Sequence, residues 1–173
     1  MNLRILLSLI AMILVSNFAL ANVHTGIEVK LQAVKSNVKN DENIYVKVSL
    51  KNRTSENINI LKWYLPNEFN ELEEGIFKIT RDGESIPYLG RHYKRPAPIG
   101  DDYLVLKANQ AMNFKVELSG VYDFSEEGFY SINFSVANLA LFSHKMNGRS
   151  HSAASRMIAD NVAEIYVQKV TSR

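Results

Sequence analysis

Four histidines are the first side chains to consider, because imidazole is the commonest metal ligand and a frequent general base. His24 and His92 are isolated, whereas His144 and His151 share one polar segment, seven residues apart. That spacing has no nearby carboxylate and is not the His-Glu-x-x-His pattern, which places two imidazoles on one helical face. Cysteine is absent, so thiolate sites are excluded. The sequence therefore predicts no metal site.

The hydroxyl and carboxyl side chains give no catalytic constellation either. Gly83-Glu84-Ser85 lacks the second glycine of a nucleophile elbow and lies in a predicted hairpin. The acidic pairs Asp101-Asp102 and Glu126-Glu127 lie in predicted turns, where solvated charge is the ordinary role. The sequence has no glycine-rich loop that would cradle a phosphate. We predict that the chain is not an enzyme and uses no cofactor.

The segment 88–102 contains the residues best suited to contact another molecule. It mixes glycines and prolines with cations, so we predict an extended basic loop. The candidate partner-binding residues are Arg91, Lys94, Arg95 and Pro96, since loop cations can meet an acidic partner. The alternative is that Lys94 and Arg95 pair locally and pin the loop to the domain.

Trp63, the only tryptophan, is predicted to lie at the end of a strand. Immunoglobulin-like sandwiches bury a tryptophan against the opposite sheet, which favours a core position for this residue. The alternative is an exposed aromatic platform that includes Trp63, Tyr88 or Tyr93. A platform of that kind would favour a binding module over a purely structural role for the tryptophan.

Alternation of apolar and polar residues with a period of two predicts the elements that position these side chains. The regular segments are 27–32, 44–51, 114–118 and 131–136. Less regular apolar runs occur at 58–64, 76–80 and 162–167. The pattern is typical of antiparallel strands with one buried face. We predict an all-β fold, an immunoglobulin-like antiparallel β-sandwich of about seven to nine strands.

Two turns support this fold. Asp82-Gly83 separates two short apolar runs and predicts a hairpin, since glycine tolerates positive φ at little steric cost. The segment 123–128 predicts a corner before a late strand. Tyr130 follows that corner and resembles the tyrosine corner of immunoglobulin-like folds. The alternative is that it is an ordinary aromatic residue of a strand.

Residues 1–21 are predicted to form a signal peptide. Arg4 precedes an apolar run from Ile5 to Val15, and Ala19-Leu20-Ala21 matches the pattern that signal peptidase reads. The run is shorter than the about 20 residues that span a bilayer. We therefore expect export through the Sec pathway to the periplasm or the outside of the cell.

The remaining residues, 22–173, have the length of a single domain. We expect one β-sandwich with a long, mainly polar loop at 143–160 and no membrane span in the mature chain. The full sequence has a formal net charge of only +2. Such a balance argues against nucleic acid as a partner, because phosphate neutralisation needs a net basic face.

An ordered string of short motifs resembles a known family. The motifs are Leu61-Lys62-Trp63 with Pro66, Gly75-Ile76-Phe77, Arg81-Asp82-Gly83, Pro87-Tyr88-Leu89-Gly90, Lys94-Arg95-Pro96 with Pro98, Asp102-Tyr103, Tyr122-Asp123-Phe124 and Gly128-Phe129-Tyr130. Their order is similar to that of the N-terminal β-sandwich region of deuterolysin-type peptidyl-Lys metalloendopeptidases, the aspzincins. In that family the region is a propeptide that helps folding and covers the active site of a zinc protease domain.

The resemblance implies a free-standing, propeptide-like domain, since the sequence ends at Arg173 without a zinc protease motif. The function it implies is inhibitor or folding partner of a secreted zinc metalloprotease, acting by laying a loop or sheet edge across the substrate cleft. Lys94 or Arg95 would then enter an acidic specificity pocket, and Pro96 would hinder cleavage. The alternative function is a general immunoglobulin-like interaction module that binds an envelope protein or a surface glycan.

Overall fold

The computed structural model describes residues 26–136, 156–159 and 162–170, with only the backbone described for 156–159. The predicted signal peptide and most of the predicted loop at 143–160 lie outside these residues, as do His24, His144 and His151. The described end of that loop, Arg156–Ala159, is a strand. No helix in the described part of the chain is long and apolar enough to cross a membrane.

The described residues form eleven strands and two short 3-10 helices, which confirms the all-β prediction. The strands are β1 (Gly26–Ala33), β2 (Asn37–Lys39), β3 (Tyr45–Asn52), β4 (Ile58–Leu61), β5 (Phe77–Arg81), β6 (Glu84–Ile86), β7 (Tyr103–Leu106), β8 (Ala111–Glu117), β9 (Gly128–Phe134), β10 (Arg156–Ala159) and β11 (Ala163–Gln168). The 3-10 helices are Lys62–Tyr64 and Gly100–Asp102. Five strands are only three or four residues long, and period-two patterns are hard to recognise at that length.

The strands form two larger sheets and one two-stranded ribbon. The first sheet has the order β10-β1-β3-β8, the second has the order β2-β11-β9-β5-β6, and β4 pairs with β7. Most neighbours are antiparallel, as predicted, but β10 runs parallel to β1 and β2 runs parallel to β11. Alternation along one strand does not encode the direction of its neighbour, so the parallel pairs were not visible in the sequence.

Alternate residues of both larger sheets fill one hydrophobic core. On β3, Val46, Val48 and Leu50 are at most 1% exposed, whereas their neighbours along the strand face outward. In the second sheet Ile132 lies opposite Ile79, and both are fully buried. Each such side chain contributes roughly 1.5–3 kcal/mol of burial free energy, so the chain needs no disulfide to hold the two sheets together.

Tyr130 forms the predicted tyrosine corner. Its side chain is 1% exposed, and its hydroxyl donates a hydrogen bond of 2.8 Å to the carbonyl oxygen of Glu126. The predicted hairpin is also present, with β5 and β6 joined by Asp82 and Gly83, both at positive φ. Both turns lie at the end of the second sheet where β5 ends and β9 begins.

Asn52, at the end of β3, is the one fully buried polar residue among those the structure describes. Its Nδ2 donates to the carbonyl oxygens of Glu56 at 2.7 Å, Leu106 at 3.1 Å and Lys107 at 3.2 Å. Its Oδ1 accepts a hydrogen bond of 2.9 Å from the backbone N–H of Thr54. The side chain thus fastens the loop after β3 to the turn between β7 and β8, and it fixes where β8 begins.

Candidate functional site: a basic loop held by Arg95

The basic loop (88–102) runs beside the segment that follows β4. Leu61 at the end of β4 lies opposite Tyr103 at the start of β7. One residue further, the Lys62 ammonium donates a hydrogen bond of 2.7 Å to the carbonyl oxygen of Asp101. The β4–β7 ribbon therefore brings the start of one segment next to the end of the other.

The Arg95 cluster, formed by Trp63, Glu73, Glu74, Tyr93 and Arg95, joins the two segments at their middle. The guanidinium carbon of Arg95 lies 5.0 Å from the ring centroid of Trp63 and 4.8 Å from that of Tyr93. Its terminal nitrogen donates a hydrogen bond of 2.7 Å to the Glu73 carboxylate. Its Nε lies 3.5 Å from Glu74 Oε1, which is an ion-pair distance without a formed hydrogen bond.

The groups around Arg95 stabilise its positive charge. Burial opposes the charged guanidinium, but the carboxylates of Glu73 and Glu74 outweigh it and raise the pKa of Arg95 above its ordinary value. The side chain is 21% exposed, so both the ion pairs and the ring contacts are partly shielded from water. Cation–π contacts at such sites contribute about 1–2 kcal/mol. Arg95 therefore anchors the basic loop to the segment that follows β4.

Tyr88 anchors the start of the basic loop. Its ring makes an edge-on contact with Tyr122, with 5.5 Å between the ring centroids, and lies against Gly90 so closely that a Cβ there would be 2.2 Å from the Tyr88 hydroxyl. Gly75 lies against the same side chain, and a Cβ at that position would be 3.1 Å from Cγ of Tyr88. Burial, with help from the Glu74 carboxylate, raises the pKa of Tyr88. A larger residue at position 90 would therefore displace the Tyr88 ring, whereas one at position 75 would meet it only in a tight contact.

The four candidate partner-binding residues divide into two groups. Arg95 is half-buried in its cluster, whereas Arg91, Lys94 and Pro96 are exposed. Among the described residues, no carboxylate lies within ion-pair distance of Arg91 or Lys94. Lys94 lies between Tyr93 and Arg95, which are both held by the cation–π contact, so its side chain is displayed from a fixed stretch of backbone.

Neither expectation for Trp63 holds. It is half-buried in a 3-10 helix, with Arg95 over its ring, and so it is neither in the core nor free as a platform. Tyr88 is half-buried as well, and only Tyr93, at 44%, is exposed among the three proposed platform residues. The sequence analysis missed the role of Glu73 and Glu74. Their acidic pair precedes the basic pair Lys94-Arg95 in the chain, and such opposite charges could have suggested an ion pair.

The described residues bring no metal site together, since no three of their His, Asp or Glu side chains are grouped closely enough to hold an ion. His92 contacts Tyr88 edge-on, with 5.7 Å between ring centroids, and packs as an aromatic residue. Among the described residues, the basic loop thus has two exposed cations without an ion-pair partner, Arg91 and Lys94.

Comparison with known proteins relates the chain to part of a protease. It is 32% identical over 131 residues to a protein named "Extracellular protease" from Aeromonas hydrophila, and the match covers 76% of this chain and 36% of that protein. The chain thus spans little more than a third of the length of this relative. No family model matches the sequence.

A solved structure of a putative lipoprotein from Bacillus subtilis subsp. subtilis str. 168 aligns with 81% of this chain and 33% of that chain. The identity is 10% and the TM-score is 0.30, values too low for the likeness to carry an argument.

Proposed function

We propose that this chain is an exported, non-catalytic binding protein that acts as an inhibitor or folding partner of a zinc metalloprotease of the aspzincin type. The observation that carries the proposal is the display of Lys94, an exposed cation between two anchored residues of the basic loop. The similarity to part of an extracellular protease supports a protease-related role. A domain that accompanies a secreted protease must itself be exported, which agrees with the predicted signal peptide.

The proposed mechanism is occlusion of the substrate cleft by the basic loop. Lys94 enters an acidic specificity pocket, and the backbone on either side lies along the cleft as a substrate would. Because Arg95 already holds the loop, little conformational entropy is lost on binding. Pro96, two residues after Lys94, has no N–H and a fixed φ, and so it restricts the backbone of the bound loop close to the cleft and hinders cleavage.

The proposal that the chain has no catalysis of its own rests on the side chains it brings together. In the described ranges no three metal-ligating side chains are grouped closely enough to hold an ion. The purified chain is expected to turn over neither peptide nor ester substrates. Activity that copurifies with the chain and survives rigorous separation from other proteins would overturn this part of the proposal.

The test is a titration of the purified chain into a peptidyl-Lys metalloendopeptidase, with a lysyl substrate as the readout. Wild-type protein is expected to inhibit, and Lys94→Ala to raise the inhibition constant by at least about tenfold, as for a central contact residue. Lys78→Ala is the matched control, because Lys78 is an exposed lysine on β5, away from the basic loop.

The folding role is read from the same materials. Refolding of the denatured protease with and without the chain gives the yield of active enzyme, which a folding partner raises. If wild-type protein neither inhibits nor raises this yield, the proposed function is wrong. If Lys94→Ala inhibits as well as wild type, the assignment of Lys94 is wrong and the contact lies elsewhere.

A further inference from the structure

Strand β8 is the long open edge of the first sheet. In the order β10-β1-β3-β8 it has a neighbour on one side only, within the part of the chain that the structure describes. It is seven residues long, whereas the other edges of the two larger sheets, β2, β6 and β10, have three or four. Folded proteins usually keep edge strands short or cover them, because an open edge pairs readily with another chain.

The hydrogen bonds of β3 show which backbone groups of β8 point outward. Tyr45 faces β1, since its carbonyl oxygen accepts a hydrogen bond of 3.0 Å from Val34. Asn52 faces β8, since its N–H donates a hydrogen bond of 2.9 Å to the carbonyl oxygen of Gln110. Residues of an antiparallel strand alternate in this respect, so the even-numbered residues of β3 bond to β8.

By the same alternation, the backbone groups of Met112, Phe114 and Val116 bond to β3. The backbone N–H and C=O groups of the odd-numbered residues of β8 point toward the open edge of the sheet. The N–H of Glu117 is taken, at 3.5 Å, by the carbonyl oxygen of Asn70. The backbone groups of Ala111, Asn113 and Lys115 have no partner among the described residues. They form a row of donors and acceptors spaced for an added strand.

The side chains beside this row differ between the two faces of the sheet. On the inner face Met112 and Phe114 are apolar and only half-buried, although they pack against the core. On the outer face Lys115 is exposed, and it lies directly opposite Lys47, also exposed. Two like charges in this position repel each other, although the Lys115 ammonium also lies 3.7 Å from the ring centroid of Tyr45. A carboxylate on a strand added beyond β8 would lie next to Lys115 and offset the repulsion.

The carboxylates already on this outer face are engaged elsewhere. Glu28 forms ion pairs with Lys30 at 3.1 Å and Arg53 at 2.5 Å. Glu117 accepts hydrogen bonds from the Tyr45 hydroxyl at 3.1 Å and the Ser119 hydroxyl at 3.3 Å. The outer face next to the open edge is therefore locally basic.

We propose that β8 takes an extended peptide segment as an additional antiparallel strand, with acidic side chains on its outer face and apolar ones on its inner face. The backbone of that segment bonds to Asn113 and Lys115, its carboxylates lie beside Lys115, and its apolar side chains cover Met112 and Phe114. A second copy of this chain fits less well, because its β8 would bring another lysine to a face whose carboxylates are already engaged. This surface is separate from the basic loop, and its occupancy does not depend on the proposed function.

The test uses a labelled synthetic peptide of alternating valine and glutamate, with binding followed by fluorescence anisotropy. Asn113→Pro removes the outward N–H without removing a bond to β3, and it is expected to weaken binding at least about tenfold. Asn113→Ala keeps that N–H and is expected to bind as wild type does. A peptide of alternating valine and lysine is expected not to bind, and Lys115→Glu is expected to weaken binding of the glutamate peptide.

A backbone-modified peptide tests strand addition on the wild-type protein, in case Asn113→Pro does not fold by circular dichroism. In antiparallel addition the glutamates share a face with Asn113 and Lys115, so their N–H groups point at β8. N-methylation of the glutamates is therefore expected to abolish binding, and N-methylation of the valines to leave it unchanged. Equal binding of both methylated peptides overturns the proposal, and so does equal binding of the lysine peptide. A wild-type dimer that Asn113→Pro makes monomeric, with no peptide binding, assigns the edge to a second copy instead.

Discussion

Asn52 and Arg95 both fasten an irregular segment to the β-sandwich, but they do so in opposite ways. Asn52 is neutral and fully buried, and its amide bonds to three carbonyl oxygens and a backbone N–H. Arg95 is charged and 21% exposed, and it is held by two rings and two carboxylates of neighbouring segments. The first anchor belongs to the core, and the second belongs to the surface.

Substitutions at the two anchors are expected to have different consequences. Removing Asn52 leaves the buried carbonyl oxygen of Leu106, and the partly buried ones of Glu56 and Lys107, without this donor, which lowers the stability of the whole fold. Removing Arg95 releases groups that water can reach, so the sandwich keeps most of its stability while the basic loop loses its fixed shape. A surface loop held in this second way can be altered without unfolding the domain that displays it.

The largest effect is expected for Asn52→Leu. Three carbonyl oxygens and the Thr54 N–H lose their partner, and the free energy of unfolding is expected to fall by about 3–4 kcal/mol. Urea unfolding measures the loss, with Asn113→Ala as an exposed control expected to change it by less than about 0.5 kcal/mol. A loss as small as that of the control would show that water replaces the amide and that Asn52 is not a core anchor.

A second neutral anchor, Tyr122, is expected to fail when it ionises. The residue is 2% exposed, its hydroxyl donates a hydrogen bond of 2.9 Å to the carbonyl oxygen of Phe77, and burial raises its pKa from 10.0 to about 12. Because the pKa of Tyr122 is higher in the folded state than in the unfolded state, the stability that neutral Tyr122 gives the fold is fully present below pH 10. It is lost as the pH rises from 10 to 12. The loss follows a slope of about 1.4 kcal/mol per pH unit and totals roughly 2–3 kcal/mol.

The measurement for Tyr122 is the difference in unfolding free energy between wild type and Tyr122→Phe at several pH values. Phenylalanine cannot ionise, so the variant should be less stable than wild type near pH 8 and should lose less stability as the pH passes 10. Parallel curves for the two proteins would place the alkaline sensitivity on other groups.

The strands and the tyrosine corner could be predicted from the sequence, whereas the two anchors could not. Strands β1, β3, β8 and β9 follow from alternation, because one face of each is buried. The tyrosine corner at Tyr130 was also predicted, because its hydrogen bond to Glu126 spans only four residues. Patterns of this kind depend on residues close together in the chain, so they can be recognised in the sequence.

The anchors depend on residues far apart in the chain. The contacts of Asn52 with Leu106 span 54 positions, and the ion pair of Arg95 with Glu73 spans 22. Nothing in the local pattern around Lys94-Arg95 tells which of the two cations turns inward, and the sequence therefore proposed both for a partner. The fold decides, since Arg95 has rings and carboxylates within reach and Lys94 has none among the described residues.

A smaller effect on stability is expected for Arg95→Lys. An ammonium keeps the charge but cannot stack its plane between Trp63 and Tyr93, and we expect a loss of about 1 kcal/mol in the free energy of unfolding. Trypsin cleavage after Lys94 should accelerate severalfold under native conditions, because the loop opens more often. Lys78→Ala serves as the control for unrelated changes in protease sensitivity. Unchanged cleavage in Arg95→Lys would mean that charge alone fixes the loop.

The smallest effects are expected when the two carboxylates of the cluster are neutralised in turn. Glu73 accepts a formed hydrogen bond of 2.7 Å from Arg95, whereas Glu74 lies 3.5 Å from Nε and accepts none. Glu73→Gln should therefore cost more than Glu74→Gln, although both stay within about 1 kcal/mol because water screens exposed pairs. The rate of trypsin cleavage after Lys94 resolves such small differences, since it follows the open population of the loop. If Glu74→Gln opens the loop more than Glu73→Gln, long-range charge holds Arg95 in place and the formed hydrogen bond does not.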